Sequence, residues 1–186
     1  MTDIDLQTLA RDVQYLKDRL AIEDCVHAHA RGHDRFDVEI MTACYHPDGI
    51  DEHGAAAINK GPDYGEWANA VHGKGAMANL HNITTHNCEI EGDTAHVESY
   101  VLVSLLNPDG ATARFINGRY VDRLEKREGK WKIALRRCTL DLMIQADASL
   151  MQSPYISAGG YIKGTRDARD VSYMRPLTLE CEVERL

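Results

Sequence analysis

The chain has 186 residues, which fits one domain, and its hydrophobic content of 44% is enough for a sizeable core. Its formal net charge of −8 argues against a nucleic-acid surface and against binding to anionic membranes. The acidic start does not resemble a signal peptide, and no apolar run approaches the roughly 20 residues that span a bilayer, so we expect a soluble, cytoplasmic protein.

The first third of the chain is predicted to be helical. The helical pattern continues to Ala30, and Gly32 is expected to end the helix. Apolar residues recur at three- and four-residue steps along its first part: Leu6, Leu9, Val13, Leu16, Leu20. A second helix is expected over 38–44, followed by a turn at 46–49. A third helix is expected to begin at Gly61-Pro62-Asp63, because proline is tolerated at an early helical position.

From His81 onward the period of the pattern changes to two, which indicates strands. Strands are expected over 81–91, 95–106, 112–124 and 131–143, with turns at 91–93, 107–110 and 127–130. Helices first and an antiparallel meander afterwards indicate an α+β fold. Residues 147–186 differ in character, with a mobile loop expected at 157–160 and a short strand or arm at 177–183. Such an extension could cover a pocket, embrace a neighbouring subunit, or be a loosely ordered tail.

Several short motifs follow one another in a particular order. Asp34 comes after the long helix, His-Pro-Asp-Gly stands at 46–49, Gly-Pro-Asp at 61–63, His81 opens a strand, and Gly-Asp-Thr-Ala follows at 92–95. Over residues 5–145 this order resembles the polyketide cyclase-like (SnoaL-like) branch of the nuclear transport factor 2-like superfamily. That branch includes scytalone dehydratase, hexachlorocyclohexane dehydrochlorinase and bile acid 7α-dehydratase. The resemblance implies a cone, in which a curved antiparallel sheet wraps around N-terminal helices, over 1–146, with the extension at 147–186.

The resemblance also implies a catalytic pair, because the family's aspartate and histidine correspond to Asp34 and His81. A neutral histidine is a suitable base near pH 7, and a carboxylate at its other ring nitrogen fixes the tautomer. Two simpler interpretations stay open. Asp34 could cap the following helix, and His81 could be a histidine at a strand end with no catalytic role.

Other side chains are candidates for binding a substrate. Dehydrating relatives often carry a tyrosine five positions before the aspartate, where this chain has His29. His29 could donate to a substrate oxygen or lie on the helix surface, and Tyr45 could approach the pocket or belong to the core. Asn117 and Arg136 could bind a substrate oxygen or belong to a solvent-facing ladder. Trp67 and five further apolar residues could line the pocket: Val71, Met77, Phe115, Leu142, Met143.

No metal or cofactor is expected. His29 and His33 lie four residues apart on a helix, but Gly32 interrupts that helix, and Asp48, Asp51 and His53 are interpreted as a polar turn. Five cysteines form no CxxC pair, and their odd number favours reduced thiols over a disulfide or zinc framework. The sequence contains neither a phosphate-binding loop nor a dinucleotide fingerprint.

These observations together predict a cofactor-independent lyase that acts on a hydrophobic aromatic or steroid-like molecule. His81 would remove a proton, and water, a halide or a small carbonyl fragment would leave. The alternatives are an isomerase or cyclase that uses the same base, the non-catalytic small subunit of a ring-hydroxylating dioxygenase, and a ligand-binding module. By analogy we expect a homo-oligomer, either a dimer or a trimer.

Overall fold

The computed structural model describes residues 5–186 and shows helices followed by a curved, open sheet. The helices of the first half are α1 (Leu6–Arg35), α2 (Val38–Ala43) and α3 (Gly61–Gly75), with the short strands β1 (Tyr45–Glu52) and β2 (Ile58–Lys60) between α2 and α3. Five further strands follow: β3 (Ala78–Glu91), β4 (Thr94–Leu106), β5 (Thr112–Arg127), β6 (Lys130–Cys138) and β7 (Leu142–Asp147). The predicted α+β class is confirmed.

The seven strands form one sheet in the order β2-β1-β6-β5-β4-β3, and β7 pairs with β5. All pairs are antiparallel except β1 with β6, which are parallel. The C-terminal half of α1 packs against β3 and β6, and the core between helices and sheet is built on Ile22, Val26, Tyr64, Leu124 and Ile133. The open end of this arrangement leaves room for a cavity.

Helix α1 is longer than predicted, and Gly32 does not end it. The helix continues to Arg35 and stops at Phe36, whose backbone adopts the left-handed conformation (φ 54°). Gly32 serves packing instead, because a Cβ at this position would lie 2.7 Å from Cγ of Met41 in α2. The helix therefore carries Asp34 in its last turn, and Asp37 rather than Asp34 caps α2.

The apolar stripe that identified α1 does not face the core. Its five members are all more than 40% exposed: Leu6, Leu9, Val13, Leu16, Leu20. The buried positions of α1 come later and include three polar side chains, His29, His33 and Asp34. The apolar pattern thus predicted the helix correctly, but the side chains that form the pattern are exposed and do not pack in the core.

Two predicted boundaries on the sheet were wrong. Residues 46–49, expected to form a turn, lie within β1, where the register with β6 shifts between Tyr45 and Ile50, so the turn-forming residues make a bulge. The fourth predicted strand is two strands, because the chain leaves β5 after Cys138 and rejoins it at Leu142. Gly118 permits this crossing, since a Cβ there would lie 2.0 Å from the carbonyl oxygen of Thr139.

The C-terminal extension packs on the chain's own helices. It contains α4 (Pro154–Gly159) where a mobile loop was expected, and no strand over 177–183, although Ile162 and Arg185 form an isolated bridge. Arg35 pairs with Asp170 at 3.0 Å, and the Tyr173 hydroxyl donates to Asp37 at 2.8 Å. The extension therefore lies beside the end of α1 that carries Asp34.

Within residues 5–186, no helix combines the length and apolar character that crossing a membrane requires.

Candidate active site

Asp34 and His81, 47 residues apart in sequence, form a direct hydrogen bond. Oδ1 of Asp34 lies 2.7 Å from Nδ1 of His81. The backbone N–H of His81 also donates to both oxygens of Asp34, at 3.1 and 2.9 Å, and the Asn79 amide donates to Oδ1 at 3.3 Å. The side chains of Asp34 and His81 are 12% and 4% exposed. Because Nδ1 is engaged by a carboxylate, Nε2 is the nitrogen left free to accept a proton.

His81 faces an inner cavity of about 270 Å³ between α3 and the sheet. Its walls are mostly apolar, and Trp67 and Val71 line it as predicted from the sequence, together with Val101, Val103, Ile116 and Tyr120. The other four apolar residues expected in the pocket do not line it: Met77, Phe115, Leu142, Met143. Three of these, Met77, Leu142 and Met143, are instead about half exposed, between 48% and 54%. An apolar enclosure with a few placed polar groups is typical of a small-molecule site.

A second carboxylate–histidine pair, which was not predicted from the sequence, borders the same cavity. His53 lines the cavity, and its Nδ1 contacts Oδ1 of Asp51, which is fully buried. Its Nε2 lies 3.3 Å from the Tyr64 hydroxyl. Asp48, Asp51 and His53 were interpreted as a polar turn, whereas Asp48 and Asp51 lie in β1 and His53 follows directly after that strand.

Three predicted substrate-binding residues lie behind the cavity wall, not in it. Arg136 is fully buried and donates to both oxygens of Asp122, at 2.8 and 2.7 Å, and to Nδ1 of His29 at 2.8 Å. His29 contacts the Tyr45 hydroxyl at 3.0 Å, which in turn donates to Asp51 at 2.5 Å. Because the Arg136 guanidinium donates to Nδ1 of His29, the His29 proton is on Nε2. The hydrogen bonds therefore run from Arg136 through His29 and Tyr45 to Asp51, the carboxylate that contacts His53.

The burial of this network determines its protonation. Burial, and then the nearby charge of Arg136, lowers the pKa of His29 well below its ordinary value. Burial and the neighbouring Asp51 raise the pKa of Tyr45 well above its ordinary value. Burial by itself would lower the pKa of Arg136. The adjacent Asp122 carboxylate has the opposite effect, and the pKa of Arg136 lies well above its ordinary value. Near pH 7 both His29 and Tyr45 are therefore neutral, and together they link Arg136 to Asp51 by hydrogen bonds.

Asn117, the remaining predicted binding residue, is not brought to the cavity. It stands on β5 between Ile116 and Gly118, which both line the cavity, and neighbouring strand residues point to opposite faces. Its side chain therefore belongs to the outer face of the sheet.

Two more histidines surround His81. The ring centres of His33 and His72 lie 4.5 and 5.7 Å from that of His81. Burial, and then the charge that His81 would carry, lowers the pKa of His72 to about 4, and the same two causes lower the pKa of His33 well below its ordinary value. Among residues 5–186, this histidine cluster is the one group of three potential metal ligands whose donor atoms lie within 4.8 Å of one another.

A wider groove of about 560 Å³ lies on the Asp34 side of His81, between α1, β3 and the extension. Its charged lining includes Arg31, Arg35 and Arg175. Asp34 lines this groove and not the inner cavity, whereas His81 borders both. Nδ1 of His81 faces Asp34, and Nε2 lies on the other edge of the ring, toward the inner cavity.

Comparison with known proteins supports the same architecture. A family model described as a SnoaL-like domain matches residues 14–137. A scytalone dehydratase-like protein from Novosphingobium aromaticivorans superposes with a TM-score of 0.64 at 20% identity, over 72% of this chain and 90% of that chain. A type 3 hexachlorocyclohexane dehydrochlorinase from Novosphingobium barchaimii superposes with a TM-score of 0.68 at 20% identity, over 73% of this chain and 94% of that chain.

A variant of a protein of unknown function from Mycobacterium tuberculosis has a higher identity, 29%, with a TM-score of 0.61 over 70% of this chain and 75% of that chain. A comparison with curated proteins found no match. At the identities seen for the two enzymes above, the likeness establishes the fold.

Proposed function

Because the chain belongs to the SnoaL-like domain family, we propose that it is a small-molecule lyase whose base is His81, held in position by Asp34. The observation that carries the proposal is the 2.7 Å contact between Oδ1 of Asp34 and Nδ1 of His81 at the wall of a mostly apolar cavity. The dehydrochlorinase and the dehydratase-like protein with the same fold support elimination as the reaction type.

The proposed reaction begins with proton transfer from a carbon atom of the substrate to Nε2 of His81. The Asp34 carboxylate stabilises the imidazolium that forms, and its three other hydrogen bonds keep it in place during the reaction. A positioned general base contributes about 10²–10⁴-fold to the rate. The electron pair of the broken C–H bond then forms a double bond as the leaving group departs from the neighbouring carbon.

The leaving group needs a proton donor, and the candidate is His53 in its imidazolium form, because a neutral ring that donates from Nδ1 to Asp51 would carry only a lone pair on Nε2. It borders the same cavity as His81, and Asp51 holds its Nδ1. The buried series from Arg136 through His29 and Tyr45 fixes Asp51 in turn. The same two histidines would also serve an isomerase, in which the proton returns to a different carbon atom.

The cavity argues for a smaller substrate than a steroid. Its volume of about 270 Å³ lies below the roughly 300–1,000 Å³ of typical ligand pockets. Trp67 and Tyr120 offer aromatic faces to a planar or cyclic compound. We therefore propose a neutral compound with one or two rings that carries a hydroxyl, halide or acyl group next to an acidic C–H bond.

The exposed apolar stripe of α1 supports a homo-oligomer as part of the proposal. Five apolar side chains in a row along one helix are costly to leave in water, and a second copy would cover them. Sedimentation of the purified chain at several concentrations would test this, because a monomer at all concentrations would leave the stripe without a homotypic partner.

The activity test is a screen of hydroxylated and halogenated cyclic ketones, phenols and cycloalkanes, followed by mass spectrometry for loss of water or hydrogen halide. Protein treated with a chelator should convert at least one compound. His81→Ala should lower the rate by about 10²–10⁴-fold. Asp34→Asn should act in the same direction, because the amide cannot stabilise an imidazolium and presents an N–H to donors.

His96→Ala is the matched control, since His96 is an exposed histidine on β4. It should retain the wild-type rate. Equal activity in the wild type and in a correctly folded His81→Ala variant would refute the proposal. Saturable binding without conversion would instead indicate a ligand-binding module.

A further inference from the structure

Three histidines from three different elements meet beside the inner cavity. His33 comes from α1, His72 from α3 and His81 from β3, and one ring nitrogen of each lies within 4.8 Å of the other two. His72 and His81 line the cavity, whereas His33 is buried behind them. Their positions in sequence follow no metal-binding spacing, so only the fold brings them together.

The ring positions match a three-histidine metal site. A tetrahedral zinc ion with Zn–N bonds of about 2.0–2.1 Å places imidazole ring centres about 5.2 Å apart. The three separations here are 4.5, 5.1 and 5.7 Å, which bracket that value. The nitrogens of such a site lie about 3.3 Å apart, so the three rings must turn in place while their helices and strand stay where they are.

Each ring has a nitrogen available, and two rings are already held from behind. Asp34 engages Nδ1 of His81, which leaves Nε2, and the Tyr64 hydroxyl engages Nε2 of His33 at 2.5 Å, which leaves Nδ1. Nδ1 of His33 is buried and has no hydrogen-bond partner among residues 5–186. Metal-bound histidines are characteristically held at their second nitrogen by a carboxylate or another polar group. A metal ion would satisfy a buried imidazole nitrogen that has no other partner and belongs to a ring beside two further histidines.

We propose that His33, His72 and His81 bind a divalent transition cation of the Zn²⁺ class, with the fourth coordination position open to the inner cavity. Imidazole ligands suit zinc, nickel, cobalt and copper rather than calcium or magnesium. The nearby Asp34 carboxylate contributes a negative charge that favours a dication.

The cation would also regulate the site. A metal on Nε2 of His81 occupies the lone pair that the proposed base uses, so the metal-bound chain and the proton-accepting chain are alternative states. Binding of the ion itself does not rest on the proposed lyase activity, because it requires only the three nitrogens. The two proposals can therefore fail separately.

The test is a titration of chelator-treated protein with Zn²⁺ alone by calorimetry, and with Co²⁺ by visible absorption. We expect one ion per chain and an absorption spectrum of tetrahedral Co²⁺. His72→Ala should weaken binding by about 100-fold or more, because it removes a ligand. Asp34→Asn should weaken it by about 10–100-fold, the usual cost of losing a partner behind a metal-bound histidine.

His96→Ala controls for adventitious binding to exposed histidines and should bind as the wild type does. His72→Gln is the second variant, should His72→Ala fail to give wild-type circular dichroism. Absence of 1:1 binding in the wild type, or equal affinity in the wild type and both folded His72 variants, would overturn the proposal whatever the catalytic assays show.

Discussion

Substituting Arg136 tests whether the polar network behind the cavity is as tightly coupled as its distances indicate. The side chains of Arg136 and Asp122 are both 0% exposed, and two hydrogen bonds of 2.7 and 2.8 Å join them across β5 and β6. Arg136→Met leaves the Asp122 carboxylate buried without its partner. Breaking such a pair costs about 3–5 kcal/mol, which in a chain of this length lowers Tm by about 6–20 °C.

The double variant Arg136→Met/Asp122→Leu separates the unpaired charge from the lost contacts. Replacing both members of a buried ion pair by apolar residues is often neutral, so the double variant should regain most of the loss. Urea unfolding of the wild type, Arg136→Met, Asp122→Leu and the double variant gives the coupling free energy, which we expect to be about 2–3 kcal/mol. Substitutions at the surface typically change the free energy of unfolding by no more than about 0.5 kcal/mol. A change of that size in the single Arg136→Met variant would refute the reasoning.

Two further predictions concern stability. Gly32→Ala should cost about 1–3 kcal/mol in urea unfolding, because its Cβ would lie 2.7 Å from Cγ of Met41, whereas Gly73→Ala, whose Cβ would meet nothing closer than 3.7 Å, should be neutral or stabilising. Equal effects at the two glycines would contradict the packing argument. Stability should fall with acidification, because burial lowers the pKa of His29 in the folded chain while the unfolded value is about 6.5. Its contribution is fully present above pH 6.5 and is lost as the pH falls below that value, by up to about 1.4 kcal/mol per pH unit, and the pH dependence should be shallower in His29→Gln.

The order of the elements could be predicted because each one carries a local signal. The period of two from residue 81 onward, and the turn residues at 107–110, gave the strands within a few residues. The errors occurred where a contact distant in sequence decides the outcome. Gly32 lies inside α1 because Met41 packs against it, and the last long strand divides because Thr139 crosses over Gly118.

The candidate site shows the same division. Asp34 and His81 could be paired only through the family pattern, and the structure brings them into contact. Trp67 reaches the cavity, whereas His29, Tyr45 and Arg136 satisfy one another behind it, because burying a charge requires partners on every side. Nothing in the local sequence distinguishes a buried arginine from one on a solvent-facing ladder. His53 follows β1 in a bend, and no periodic pattern in the sequence indicates that it contacts Asp51.

The central claim is that Nε2 of His81 takes a proton from a carbon atom of the substrate. The most direct measurement is deuterium exchange at that carbon in D₂O, by mass spectrometry, for a compound identified in the screen and with chelator-treated protein. We predict exchange or elimination in the wild type, a rate about 10²–10⁴-fold lower in His81→Ala, and a rate lowered in the same direction in Asp34→Asn. Unchanged exchange in a folded His81→Ala variant would show that another group is the base.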